Sequence, residues 1–207
     1  MQAALIFALL LLFAAAPVRG GAGESPELAA ALKRIGECRA VAAKFTQIRQ
    51  LKDIDMEIVI RGSMASEKDG RLLWRVDDPV PSVTLITGGK LVHWDKTTGK
   101  VAELAADLPW LKLLRDSFID CLSGDVEKLR RSFEVGIVPP DKLRLTPLTP
   151  ELKQLYAAVE LVVDLKRDVL SALILDEPSG DRMTIRFEEV RRDPELPESW
   201  WRIPPGR

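Results

Sequence analysis

This 207-residue chain has a single histidine, two cysteines and no surplus of charge of either sign. One His and two distant Cys cannot assemble a zinc site, so no metal and no cofactor are expected. A Ser-His-Asp centre on a nucleophile elbow is excluded as well, because no G-x-S-x-G occurs. Thirty Lys+Arg against 31 Asp+Glu leave a net charge of −1, which argues against nucleic acid or an anionic membrane surface as a partner. The chain lacks the polar bias of disorder, being 46% hydrophobic, and the Gly-Pro excess of collagen, with 13 Gly and 14 Pro.

The one long apolar run lies at the start. From Ala3 to Val18 no residue is polar, Pro17 breaks the run, and Arg19 with Gly20-Gly21-Ala22-Gly23 follows. A spanning helix needs ~20 apolar residues, so this segment is short for an anchor and fits a signal-peptide core, although Met1-Gln2 supplies no Lys or Arg. The expected organisation is a cleaved signal peptide at 1–22 and one exported domain at 23–207. Export gives Cys38 and Cys121 an oxidising environment, in which a bridge closing so long a loop would contribute ~4 kcal/mol. The other reading is two buried free thiols.

Ser25-Pro26 is a helix start, with a capping serine and proline at the first helical position. Leu28, Leu32 and Ile35 continue at helical spacing, and the pattern predicts a helix to about Ala42. From Phe45 to Leu104 the period changes to two, with the tight turns Gly88-Gly89 and Thr97-Thr98-Gly99. A helical insertion begins at Asp107-Leu108-Pro109 and carries Leu111, Leu114, Phe118 and Cys121 or Leu122 on one face. Alternation returns in 133–138 and 142–147, a short helix follows Thr149-Pro150, and three strands close the pattern at 159–165, 169–176 and 182–189. The count is eleven strands, and their short connections make them antiparallel. The expected fold is mainly β: one open, curled sheet with an N-terminal helix and a helical cover.

So large a sheet curls, and its concave face must be filled. The alternating residues Ile58, Ile60, Met64, Leu72, Trp74, Leu85, Leu173, Ile185 and Phe187 offer more apolar surface than two modest helices need. Either the helices pack it into a solid core, or a cleft remains for an apolar ligand. His93, in the strand Leu91–Asp95, reads as a strand residue at the sheet surface or rim, with no catalytic role. Trp94 reads as core, and Trp200 and Trp201 as fasteners of a Pro-rich tail covering an edge or rim of the sheet; for Trp110, at the start of the insertion, a hinge or membrane-facing contact is the lesser of the readings open.

Several motifs occur in a fixed order. Phe45-Thr46-Gln47, Gly62, Leu72-Leu73-Trp74, Pro79 and Gly88-Gly89-Lys90-Leu91 are followed by Leu122-Ser123-Gly124-Asp125, Phe133, Leu145-Thr146-Pro147 and Pro178-Ser179-Gly180-Asp181 to Ile185-Arg186-Phe187. This order resembles the LolA family of periplasmic lipoprotein carriers over nearly the whole mature chain. The resemblance implies an eleven-stranded half-barrel with a helical lid, a periplasmic location, and a cleft for the acyl chains of a lipoprotein or other lipid. Leu72, Trp74 and Val76 would face that cleft, and Leu111, Leu114 and Phe118 would form the lid. It further implies a monomer that receives cargo from an inner-membrane donor complex and passes it to an outer-membrane acceptor. An Arg-Pro pair that ties the lid in proteobacterial carriers is replaced here by Lys68-Asp69, leaving Lys68 and Arg71 as latch candidates. The competing reading is a lipid- or lipoprotein-sensing regulatory module without cargo transfer.

Overall fold

The computed structural model describes residues 25–54, 56–87, 89–105, 116 and 119–203. The expected signal peptide, Trp110 and the lid residues Leu111, Leu114 and Phe118 lie outside the described residues. The elements are α1 (Pro26–Glu37), β1 (Ala40–Leu51), β2 (Met56–Glu67), β3 (Leu72–Asp78), β4 (Ser82–Thr87), β5 (Lys90–Asp95), β6 (Val101–Ala105), α2 (Val126–Leu129), β7 (Phe133–Val138), β8 (Lys142–Pro147), α3 (Pro150–Leu155), β9 (Ala158–Asp164), β10 (Val169–Asp176) and β11 (Arg182–Arg192). Residues 119–123 are also helical.

All eleven strands form one antiparallel sheet in the order β6-β5-β4-β3-β2-β1-β11-β10-β9-β8-β7. It is an open, curled half-barrel, with β6 and β7 at its two ends. The first and last strands therefore lie side by side at its centre, and each wing is a run of consecutive hairpins.

The Ser25 hydroxyl accepts a hydrogen bond from Leu28 N–H, and Pro26 occupies the first turn of α1. The helix ends at Glu37, short of the expected Ala42. Residues 40–43 instead begin β1, where Ala40 and Val41 pair with Glu67 and Ser66 of β2, and Val41 also with Arg192 of β11. Pairing with two neighbouring strands overrides the helical preference of three alanines. Leu28, Ala31, Leu32 and Ile35 bury the inner face of α1 over β9 and β10. Arg34 grips Asp168, in the β9–β10 turn, through two hydrogen bonds of 2.6 and 2.7 Å.

The main core fills the concave side. Below α1 it consists of aliphatic side chains such as Leu143, Leu145, Val159, Leu161, Val163 and Leu173, with Phe133. Each such side chain removed from water contributes ~1.5–3 kcal/mol. A bulge between Leu170 and Ala172 keeps Leu170 in the same core as Leu173 and Leu175.

A second, smaller core covers the convex face. The tail beyond β11 crosses that face, rather than an edge or rim, and its 3-10 turn Glu198–Trp201 packs Trp201 against Ala42, Ala65, Leu73, Val83 and Leu85, with Trp94 alongside. Two alanines give the indole a flat seat. The Arg71 guanidinium lies 4.7 Å above the Trp201 ring and forms ion pairs with Glu198 (3.4 Å), Asp69 (3.1 Å) and Glu67.

Candidate functional site

Strand register arranges the concave side chains of the β1–β5 wing in cross-strand rows. One row runs Val41, Ser66, Leu72, Ile86, Leu91; the next Ala43, Met64, Trp74, Thr84, His93; a third Phe45, Gly62, Val76, Ser82, Asp95. Gln47 and Ile60 pair in a fourth. The β2–β3 rows end at the bulge between Arg61 and Gly62, beyond which Arg61 pairs with Asp78.

Burial divides this face. Leu72, Ile86, Met64 and Phe45 are buried, whereas Ile60, Trp74, Val76 and Leu91 are only half-buried although packed against the core. Phe45 stacks on Trp74 with ring centroids 4.0 Å apart. The result is an apolar surface around Ile60, Trp74, Val76 and Leu91 that the described residues only partly cover. On the α1 side the same face has a small, partly open gap of about 30 Å³ among Ile35, Met64, Leu122, Leu170 and Phe187. That volume holds about one water molecule. A larger hollow of about 450 Å³ lies at the β1–β2 and β10–β11 turns, but Gln50, Lys52, Glu57, Glu177, Asp181 and Arg182 make it polar.

Of the residues expected in a cleft, Ile60, Met64, Leu72, Trp74, Val76, Leu173, Ile185 and Phe187 all lie in the concave core cluster. Ile58 sits further out on β2, half-buried, between Arg49 and the end of the strand. Leu85 does not belong with them. It is buried on the convex face beneath the tail, because β4 carries apolar residues on both sides and its register sets Leu85 opposite Leu73 and Val92.

The latch candidates lie in and beside the β2–β3 turn, and the lid that they would tie is outside the described residues. Arg71 holds the C-terminal tail on the convex side, and Lys68 is exposed in the β2–β3 turn, with its backbone N–H bonded to Arg39 C=O. Of the two readings of the cysteines the structure has free thiols and no Cys38–Cys121 bridge, with Cys121 buried and Cys38 partly exposed. Cys38 caps α1, where its sulfur accepts a hydrogen bond from Arg192 Nε (3.1 Å). Cys121 is buried in the concave core, and burial pushes its thiol up to about 12.

Phe45, Leu91, Thr84 and His93 complete the face and were missed as site residues. His93 lies on the concave face of β5, half-buried and one strand in from the β6 edge of the sheet. Its Nδ1 is 2.9 Å from Thr84 Oγ1. Burial lowers the proton affinity of the imidazole, and the nearby Asp95 carboxylate only partly offsets this. Both Asp95 oxygens accept hydrogen bonds from Thr98, so that carboxylate holds a turn. Among the described residues no group of three or more His, Cys, Asp or Glu is placed to hold a metal ion, and no helix is long and apolar enough to cross a membrane.

Comparison with known proteins follows the same outline. The family model described as "Outer membrane lipoprotein carrier protein LolA" matches residues 37–203. Outer-membrane lipoprotein carrier proteins of Pseudomonas entomophila (strain L48) and Legionella pneumophila (strain Corby) are similar at 22% and 23% identity. The first alignment covers 88% of this chain and 87% of the relative, the second 84% and 83%. Among solved structures, an uncharacterized conserved protein from Thermus thermophilus has TM-score 0.52 at 12% identity, covering 86% of this chain and 93% of that one. The structure of MucB has TM-score 0.51 at 15% identity, covering 90% of this chain and 66% of MucB. These two likenesses concern the fold alone.

Proposed function

The chain belongs to the LolA family, and from that premise we propose that it is a periplasmic carrier, binding the acyl chains of a lipoprotein or other lipid on the concave face of its half-barrel. It receives the cargo from an inner-membrane donor, shields it from water, and yields it to an outer-membrane acceptor. It acts as a monomer, after removal of residues 1–22, and does no covalent chemistry on its cargo.

The observation that carries this reading is the half-buried apolar surface of Ile60, Trp74, Val76 and Leu91, continuous with the buried side chains of Phe45, Met64, Leu72 and Ile86. A fully packed half-barrel would bury these side chains as it buries Leu143 and Leu161. Each acyl methylene laid against them leaves water with a gain of ~0.8 kcal/mol. Several methylenes therefore give useful affinity without any charged contact, and the acceptor need only offer a more complete apolar enclosure to draw the cargo away.

The test is organic extraction and mass spectrometry of mature protein purified gently from the periplasm. Val76→Glu and a mock purification without the protein are run in parallel. Val76 is half-buried, so a glutamate there can reach water while placing a charge in the acyl path. A stoichiometric acylated species in the wild type, lost from folded Val76→Glu, is the expected result. No lipid, together with no binding of a fluorescent apolar probe, overturns the carrier reading and leaves a structural or sensing role.

A further inference from the structure

The concave face is not uniformly apolar. Across β7–β10 its buried positions are aliphatic or aromatic. On β4 and β5 the rows change in sequence: Ile86 with Leu91, then Thr84 with His93, then Ser82 with Asp95. The second row adjoins Trp74, which pairs with Thr84. A polar pair thus flanks the apolar surface, about two strand spacings (~10 Å) from Trp74 to His93.

The chemistry of this pair is specific. Thr84 Oγ1 and His93 Nδ1 satisfy one another at 2.9 Å. When the hydroxyl donates, the neutral ring carries its proton on Nε2, which becomes a donor for a ligand oxygen. Burial keeps the ring neutral at neutral pH. Asp95 is engaged by Thr98. Of the charged residues on the surrounding strands, Arg75 pairs with Val83, Lys90 with Thr87 and Ala105, and Glu103 with Val92, all at positions that alternate onto the convex side. Among the described residues this flank therefore offers hydrogen bonds and no cation, which suits a neutral carbonyl and not a phosphate or free carboxylate.

We propose that Thr84 and His93 form the polar end of the cargo site, where His93 donates a hydrogen bond to the ester carbonyl of an acylated cargo whose hydrocarbon lies on Ile60, Trp74 and Val76. This rests on the acyl-carrier reading and adds the class of head group to it. A pure hydrocarbon would leave the pair without its ligand bond. An ester places its carbonyl at the point where the face turns from apolar to polar.

The experiment compares two ligands that differ in one oxygen. The full mature chain is loaded with a fluorescent apolar probe, which is displaced with monopalmitoylglycerol or with its hexadecyl ether analogue, which lacks the carbonyl. One net hydrogen bond is worth ~1 kcal/mol, so the ester should bind about fivefold more tightly. In His93→Leu that ratio should fall to about one, and in His93→Gln, whose amide N–H can donate, it should return. Thermal unfolding establishes that each variant is folded, and Thr84→Val, which releases the ring from its set orientation, serves as a second disruption that should also erase the preference. Equal affinities in the wild type, or a ratio unaffected by both His93→Leu and Thr84→Val, overturn the proposal while leaving the carrier reading intact. Failure of the wild type to bind the probe or either ligand overturns both.

Discussion

Phe45 on β1 and Trp74 on β3 stack almost in parallel, 4.0 Å apart at 24°, across a strand that has no side chain where they meet. The missing side chain is that of Gly62, opposite Phe45 in one ladder and Val76 in the other. This explains why the aromatic of F-x-Q, the glycine and the tryptophan of L-x-W belong together in the sequence. A Cβ on Gly62 would stand 1.9 Å from the Arg75 carbonyl oxygen and 2.9 Å from Phe45 Cζ.

Gly62→Ala should consequently destabilise the fold by about 2–3 kcal/mol, since β3 backbone and the Phe45 ring would both have to yield. Urea unfolding measures it. A midpoint equal to that of the wild type would refute the close approach.

Removing the tail's anchor should cost more than its surface position suggests. Trp201 is only 6% exposed, and its truncation to Ala is expected to cost about 3–4 kcal/mol. Its buried Nε1 has no hydrogen-bond partner, so Trp201→Phe should lose well under half as much. Arg71→Met should cost about 1 kcal/mol, through the lost contact with the ring. Denaturant titration of the three variants gives this order, and equal losses for Phe and Ala at position 201 would contradict it.

The two thiols should react very differently. Cys121 is buried and its thiol is held near 12, leaving almost no thiolate at pH 8. Maleimide labelling of native protein should modify Cys38, which is partly exposed, and spare Cys121 until guanidinium is added. Mass spectrometry counts the adducts, and rapid double labelling of the native state would show that the concave core opens readily.

Acid should weaken the fold through His93. Its folded proton affinity lies below the ordinary value of 6.5 because burial disfavours the cation. Between the two values the unfolded chain holds more protons, so stability rises with pH there. The cost is absent above about pH 7.5, grows as pH falls through 6.5, and is complete below the folded value. The stability of His93→Gln relative to wild type should increase over that fall. Unfolding curves at pH 8 and pH 5 test it, and parallel losses in both proteins would count against a half-buried imidazole.

The sheet was legible because its apolar residues alternate with period two and its turns are marked by Gly, Asp and Pro-Ser-Gly-Asp. All eleven strands follow from that signal, as does the short helix after Thr149. Three features were not legible, each for a tertiary reason. Ala40–Ala43 has the composition of a helix and becomes strand only because β2 and β11 bond it from both sides. Leu85 and Ile86 are adjacent apolar residues, and only the ladder with β3 and the tail on the convex side decide which of them faces inward. Arg71 follows Lys68-Asp69 closely and reads as a latch candidate, yet its odd parity with Leu73 sends it to the convex face. The polar character of Thr84 and His93 was visible, but an isolated threonine and histidine give no periodic signal, and their shared row exists only once β4 and β5 pair.

The strand order also bears on assembly of the fold. Thr46 pairs with Arg186, 140 positions away along the chain, although both strands are central. The hairpins flanking this junction each join neighbours in sequence, so the two ribbons β1–β6 and β7–β11 can zip from local contacts, and their seam is the slow, entropically costly closure. Helix α1 precedes one ribbon yet packs on β9 and β10 of the other. It works as a clasp across that seam, binding the halves of the molecule together at the place where the chain itself does the least to join them.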